Sequence, residues 1–162
     1  MAEIRQAGPR DISRIAEILI FTKRTTYRPI FDDDKVSFNV MQVGTEIESL
    51  KKSHALDGVY VFDDGITKAM LRREIDGKQM HIIELFIDPF FQYEGIGTKM
   101  LESVIAEATR RRCQEVDLWV VENNDSARRF YEKNSFIWSG ERERITEVKS
   151  GEFYRVRYSL KI

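Results

Sequence analysis

The segment Phe91-Gln92-Tyr93-Glu94-Gly95-Ile96-Gly97-Thr98 places two glycines where a strand-like run gives way to a helical pattern. Glycines at such a junction let backbone N–H groups approach an anion closely, and the start of the helix adds a favourable dipole. This is the chemistry of a phosphate cradle. A tight turn needing only a permissive backbone has the same spacing. Two familiar phosphate loops do not fit. A dinucleotide fingerprint would put a third glycine at position 100, where Met100 stands, and a P-loop needs Gly-Lys-Ser/Thr after a four-residue spacer, which the chain lacks.

Titratable groups near this loop offer proton chemistry. Glu84 sits in the apolar run Ile82-Ile83-Glu84-Leu85-Phe86, where desolvation would strengthen a carboxylate as a base. Strand alternation puts Glu84 on one face with Ile82 and Phe86, and His81 on the other. The same carboxylate could instead pair with Arg72 or Arg73 across a hairpin. The Tyr131 phenol, with an ordinary pKa of about 10, is protonated at neutral pH and can donate a proton. It can equally be a core tyrosine beside Phe130. Asn124 reads as a helix N-cap. Asp32-Asp33-Asp34 could attract a cationic amine or simply start a helix. His54 and His81 have no evident metal partners and read as surface or packing residues, so no metal site is expected. Cys113 is the single cysteine, which excludes an internal disulfide and any zinc site needing several thiolates.

These residues need a scaffold, and the pattern supplies one. Glu3–Gln6 reads as a first strand, broken by Gly8-Pro9. Asp11 can cap a helix whose apolar face is Ile12, Ile15, Ala16, Leu19 and Ile20. Residues 25–52 predict one or two short helices. Asp64-Gly65 and Asp76-Gly77 are hairpin-turn dipeptides, so residues 59–62, 66–75 and 78–87 form a three-stranded meander. A helix from Gly95 carries Met100, Leu101, Val104, Ile105 and Ala108 on one face. Glu115–Val121 is a strand, Asp125–Lys133 a helix, and residues 137–138 and 153–160 two closing strands. The order is β-α-α-β-β-β-α-β-α-β-β. A meander followed by a crossover implies an α/β (α+β) fold with a mixed sheet and helices on both faces.

Composition bounds the rest. The chain of 162 residues predicts a single domain spanning 1–162. Twenty-six basic and 27 acidic residues give a net charge of -1, so no overall field attracts nucleic acid or anionic membrane. No apolar stretch approaches the roughly 18 residues of a membrane span, and the N-terminal residues lack a secretory h-region. A cytoplasmic protein with neither a nucleic-acid nor a membrane partner is expected.

The loop and a downstream segment together resemble the GNAT family of N-acetyltransferases. Gln92-Tyr93-Glu94-Gly95-Ile96-Gly97 matches that family's Gln/Arg-x-x-Gly-x-Gly/Ala loop. Residues 124–136, with Asn124, Ala127, Tyr131-Glu132-Lys133 and Phe136, resemble its Asn-x-x-Ala-x-x-x-Tyr-Glu-Lys-x-Gly-Phe segment. One helix and one strand separate the two, as in the family. The resemblance implies a mostly antiparallel sheet of six or seven strands and acetyl transfer from acetyl-coenzyme A to a primary amine, by direct transfer in a ternary complex. It implies cofactor contacts from residues 92–98, from the backbone of Leu85, Phe86 and Ile87, and from Asn124. A side chain at Gly97 would then enter the space of the diphosphate. Tyr131 becomes the candidate acid and Glu84 the candidate base. Tyr27 and Phe31, in a Thr-Tyr-x-x-Ile stretch similar to that of bacterial polyamine acetyltransferases, become candidate acceptor contacts, as do Trp138 and Tyr154. A monomer or homodimer is expected.

Three positions depart from the pattern. Ser135 stands where the family has glycine. Tyr93-Glu94 replaces a pair that is often basic. Trp119 occupies the place of the glutamate base of ribosomal-protein N-terminal acetyltransferases. Two other classes compete: an acyl-CoA sensor without turnover, which need not keep Glu84 or Tyr131, and a nucleic-acid-binding regulator, for which Arg110-Arg111-Arg112 is the only basic cluster. Within the enzyme class, a peptide or protein acceptor competes with a small amine.

Overall fold

A computed structural model describes all 162 residues. Alternating side chains on the strands feed two separate apolar cores, so one sheet is covered on both faces. The strands are β1 (Glu3–Gln6), β2 (Val59–Asp63), β3 (Thr67–Asp76), β4 (Gln79–Ile87), β5 (Glu115–Val121), β6 (Ile137–Ile145) and β7 (Phe153–Lys161). They lie in the order β1-β2-β3-β4-β5-β7-β6. Every neighbouring pair is antiparallel except β4 and β5. The helices are α1 (Ile12–Phe31), α2 (Val43–Leu50), α3 (Ile96–Arg110) and α4 (Asp125–Lys133). Val59, Val61 and Met70 pack against Ile15 and Leu19 of α1 and Leu50 of α2. Phe62, Ala69, Leu71, Leu118 and Tyr158 pack on the other face against Met100 and Val104 of α3 and Tyr131 of α4. No helix is long and apolar enough to cross a membrane.

Three elements differ from the sequence expectation. First, α1 continues to Phe31, through Pro29. In the last turn that proline forfeits one backbone hydrogen bond without breaking the helix core. A wider, π-type turn (Lys35–Val40) follows before α2. Second, Asp11 does not cap α1 with its side chain. Its carboxylate turns back to accept the Gly8 N–H at 2.8 Å and the Arg5 guanidinium at 2.8 Å. The Arg5 hydrogen bonds hold the Asp11 carboxyl below its usual range. Third, β6 runs on to Ile145 through the charged stretch Glu141-Arg142-Glu143-Arg144. That stretch has no apolar alternation to reveal a strand, but its charges find partners in Arg155, Arg157 and Glu122.

A bulge in β4 governs what faces the site. Arg72 pairs with Glu84, whereas Arg73 pairs with Ile82, leaving Ile83 as the extra residue. The alternation therefore changes phase there. Met80 and Ile82 face the α3 core, while Phe86 packs toward the α1 core and Glu84 meets Arg72. So Glu84 does not share a face with Ile82, and His81, three residues away, projects from the same face as Glu84 rather than the opposite one.

Candidate active site

Parallel pairing between β4 and β5 ends at Ile82 and Leu118. Beyond that point the strands diverge, and each leaves backbone groups without a strand partner. The Asp88 N–H bonds the Lys68 carbonyl, which fixes the phase of the antiparallel ladder: Phe86 bonds toward Met70 of β3, and Leu85 and Ile87 turn their polar groups into the gap. The Ile87 carbonyl already accepts from the Thr22 hydroxyl at 3.2 Å. Of the three residues singled out from the sequence, Leu85 and Ile87 thus offer backbone to a ligand. The backbone of Phe86 is committed to the sheet.

The gap widens into a cleft of about 750 Å³. At one end lies the glycine loop. From Gln92 to Thr98 no backbone N–H finds an acceptor within the protein, and α3 has no side-chain cap. The loop is open to solvent up to Gly95 and buried at Ile96 and Gly97, so its free N–H groups form an accessible row of donors reinforced by the dipole of α3. Gly95 takes φ 78° and Tyr93 φ 66°, and a Cβ at Gly95 would meet nothing within 4 Å. Tyr93 and Glu94 point to solvent. Gly97 differs. It is buried, and a Cβ there would lie 3.0 Å from the Phe130 ring and 3.4 Å from Ile87. Its lack of a side chain lets α4 approach α3, so the expectation that a residue at 97 would enter the anion site does not hold. Gly97→Val is expected to destabilise the fold by about 1–3 kcal/mol through overpacking, read as a lower denaturant midpoint.

Tyr131 comes from α4 and reaches the cleft from the α3 side. Its ring is held edge-on by Phe130 at 5.2 Å and Phe136 at 5.9 Å. Burial, with a smaller contribution from Tyr27, pushes its phenol well above the ordinary tyrosine value. The hydroxyl makes no hydrogen bond to protein and is not sealed from the cleft. Asn124 caps α4, its side-chain oxygen accepting the Ala127 N–H at 3.2 Å. It also lines the cleft, so capping and ligand contact are compatible.

From the other face of the sheet come Glu84 and Tyr27. The Glu84 carboxylate lies 3.4 Å from the Arg72 Nε, and its side chain is 22% exposed. The apolar surroundings expected from the sequence are therefore broken by a guanidinium; Arg73 instead turns to Glu107. Tyr27 lines the cleft near Glu84, and its phenol too is pushed up, by burial first and by the Glu84 charge second. Phe31 stacks behind Tyr27 at 5.5 Å and packs on Phe153 at 4.9 Å. It supports Tyr27 without lining the cleft. Trp138 and Tyr154 also lie outside it: the Trp138 indole donates to the Glu141 carbonyl, and Tyr154 carries the Arg142 guanidinium 3.5 Å from its ring centre. His81 sits against Asp117, which Arg157 also holds, and His54 lies 2.9 Å from Asp57.

A diverging parallel pair, an unsatisfied helix start and an unbonded phenol thus share one cleft. A family model described as "Acetyltransferase (GNAT) family" matches residues 47–136. The chain belongs to this family. The matched residues contain the loop, Glu84, Asn124 and Tyr131. An uncharacterized N-acetyltransferase of Archaeoglobus fulgidus is 46% identical over 50 residues, covering 31% of this chain and 34% of that protein. A "probable spermine N(1)-acetyltransferase" of Bacillus subtilis subsp. natto is 39% identical over 57 residues, covering 35% of this chain and 38% of that one. The chain thus spans little more than a third of the length of these curated relatives. Among solved structures, the PaiA N-acetyltransferase from Thermoplasma acidophilum in complex with coenzyme A superimposes with a TM-score of 0.75 at 16% identity, over 100% of this chain and 99% of that one. At that identity the likeness concerns the GNAT fold.

Sequence reasoning assigned no site role to Thr22, Thr26, Ile83, Trp119 or Lys133, all of which line the cleft. Ile83 and Trp119 read in the sequence as ordinary apolar strand residues, and only the fold shows that they are left 49% and 38% exposed.

Proposed function

We propose that this chain is an acetyl-CoA-dependent N-acetyltransferase acting on a primary amine, by direct transfer with both substrates bound. The observation that carries this reading is the row of free N–H groups from Gln92 to Thr98 opening into the same cleft as Glu84 and Tyr131. The residues present suit coenzyme A: the loop N–H groups and the α3 dipole match a diphosphate, and the inward backbone of Leu85 and Ile87 suits the amides of a pantetheine arm, paired as an added strand. Bound acetyl-CoA supplies an acyl group activated as a thioester.

The protein's part is to orient and to move protons. An alkylammonium with a pKa near ~10 must lose a proton before it can attack. Glu84, the only carboxylate lining the cleft, takes it, directly or through water. The Tyr131 hydroxyl would give its proton to the departing sulfur as the carbon–nitrogen bond forms and the carbon–sulfur bond breaks; the second proton that the nitrogen sheds on becoming an amide would restore the phenol, and the proton on Glu84 would pass to solvent. The backbone N–H groups in the gap stand ready to polarise the acyl oxygen. No metal enters this scheme. Because burial holds the Tyr131 phenol neutral, the acid stays loaded well into the alkaline range.

An amine-panel assay reading free thiol tests this proposal. Thiol release that requires an amine, with an acetylated product of matching mass, supports it. Coenzyme A binding with no release from any amine would instead mark a sensor. Glu84→Gln is expected to flatten the acidic limb of the kcat/KM–pH profile while coenzyme A affinity by calorimetry stays unchanged. An unaltered limb would place the base elsewhere.

A further inference from the structure

We infer that the acceptor is a primary monoamine with an uncharged, apolar body, taken amine-first between Tyr27 and Trp119. This rests on the amine transfer proposed above and names its substrate class. The acceptor side of the cleft is built by Thr22, Thr26 and Tyr27 from α1, Ile83 and Glu84 from β4, and Trp119 from β5. Glu84 is the only charged group among them, and Arg72 already shares its carboxylate. The other charged lining residue, Lys133, belongs to α4 on the opposite face of the sheet. One carboxylate suits one ammonium.

The acidic run that could hold a second ammonium lies outside the cleft. Asp33 accepts the Val36 N–H at 3.0 Å, Asp34 pairs with Arg28 at 2.7 Å, and no residue of the Asp32-Asp33-Asp34 run lines the cleft. Beside the acceptor walls stand one ammonium and one guanidinium, the latter paired with Glu143. The Lys23 ammonium sits 5.9 Å from the Phe86 ring and the Arg155 guanidinium 5.3 Å from the Trp119 ring. A diamine or polyamine would find no second carboxylate in the lining and the Lys23 ammonium nearby, and an amino acid would set its carboxylate against Glu84. An apolar body meets neither penalty. It covers Ile83 and Trp119, which are otherwise left to solvent, while the ammonium lies beside aromatic faces that attract it.

Matched amines decide this. With acetyl-CoA saturating, kcat/KM for hexylamine and 2-phenylethylamine is expected to exceed that for 1,6-diaminohexane, spermidine and phenylalanine by at least tenfold. Trp119→Ala should raise KM for hexylamine several-fold with kcat nearly kept. Equal or better turnover of 1,6-diaminohexane overturns the assignment while leaving amine transfer intact. A second readout does not depend on turnover. The chain has two tryptophans, so Trp138→Phe leaves Trp119 as the only indole. Hexylamine added to this variant with coenzyme A bound should change its fluorescence, and 1,6-diaminohexane at the same concentration should change it less. That response without thiol release from any amine would support the recognition and overturn the transfer. No response to hexylamine would overturn the recognition.

Discussion

Tyr131→Phe is expected to lower kcat by about 100-fold or more, within the usual range for losing a general acid, and to leave coenzyme A affinity and thermal stability nearly unchanged. The geometry separates these effects. The ring is fixed by Phe130 and Phe136, and phenylalanine keeps both contacts. The hydroxyl bonds no protein group, so its removal breaks no internal hydrogen bond. A structural hydroxyl would show the opposite pattern, losing about 1 kcal/mol of stability with turnover intact. The Asn124 cap stands seven residues earlier, two turns back on the same side of α4, so the variant leaves the helix start undisturbed. Stopped-flow thiol release, a melting curve and calorimetry on one preparation make the comparison. Full turnover of Tyr131→Phe with any accepted amine would return the residue to a packing role.

The residues of the α3–α4 side were legible because their signals are local. Glycine spacing at a strand–helix junction, an Asn at a helix start and a meander marked by Asp-Gly turns are short-range features, and the sheet follows from them. Ser135 is a sharper case. It stands where the family pattern has glycine, and its φ of 71° shows what that position demands of the backbone. What could not be read depends on pairing between distant segments. The bulge at Ile83 is visible only against β3, because a strand read alone has no partner to reveal its extra residue. That one residue moved Glu84 to the face of α1, beside Tyr27. The length of β6 failed for the same reason, since its charges are satisfied by Glu122, Arg155 and Arg157 rather than by any periodicity of its own.

Thr98→Asp should reduce coenzyme A affinity at least 100-fold, a loss of about 2.7 kcal/mol, while leaving the fold as stable as before or slightly more so. The two effects have opposite signs for one physical reason. Thr98 is the third residue of α3, in a first turn whose N–H groups have no acceptor. A carboxylate in that turn is favoured by the helix dipole by about 0.3–1 kcal/mol. The same carboxylate occupies the field that would otherwise hold a diphosphate, and it adds like charge beside it. At roughly 5 Å and an effective dielectric of about 20, each pair of unit charges repels by about 3 kcal/mol. The loop itself cannot offset this, because Tyr93 and Glu94 supply no cation. Thr98→Asn has a similar size and no charge, so it should retain most of the affinity and marks the effect as electrostatic. Glycine substitutions would not separate the causes, since Gly97 packs on Phe130 and Gly95 needs its positive φ. If Thr98→Asp binds coenzyme A as tightly as the parent, the diphosphate does not sit on the start of α3 and the cradle must be sought elsewhere.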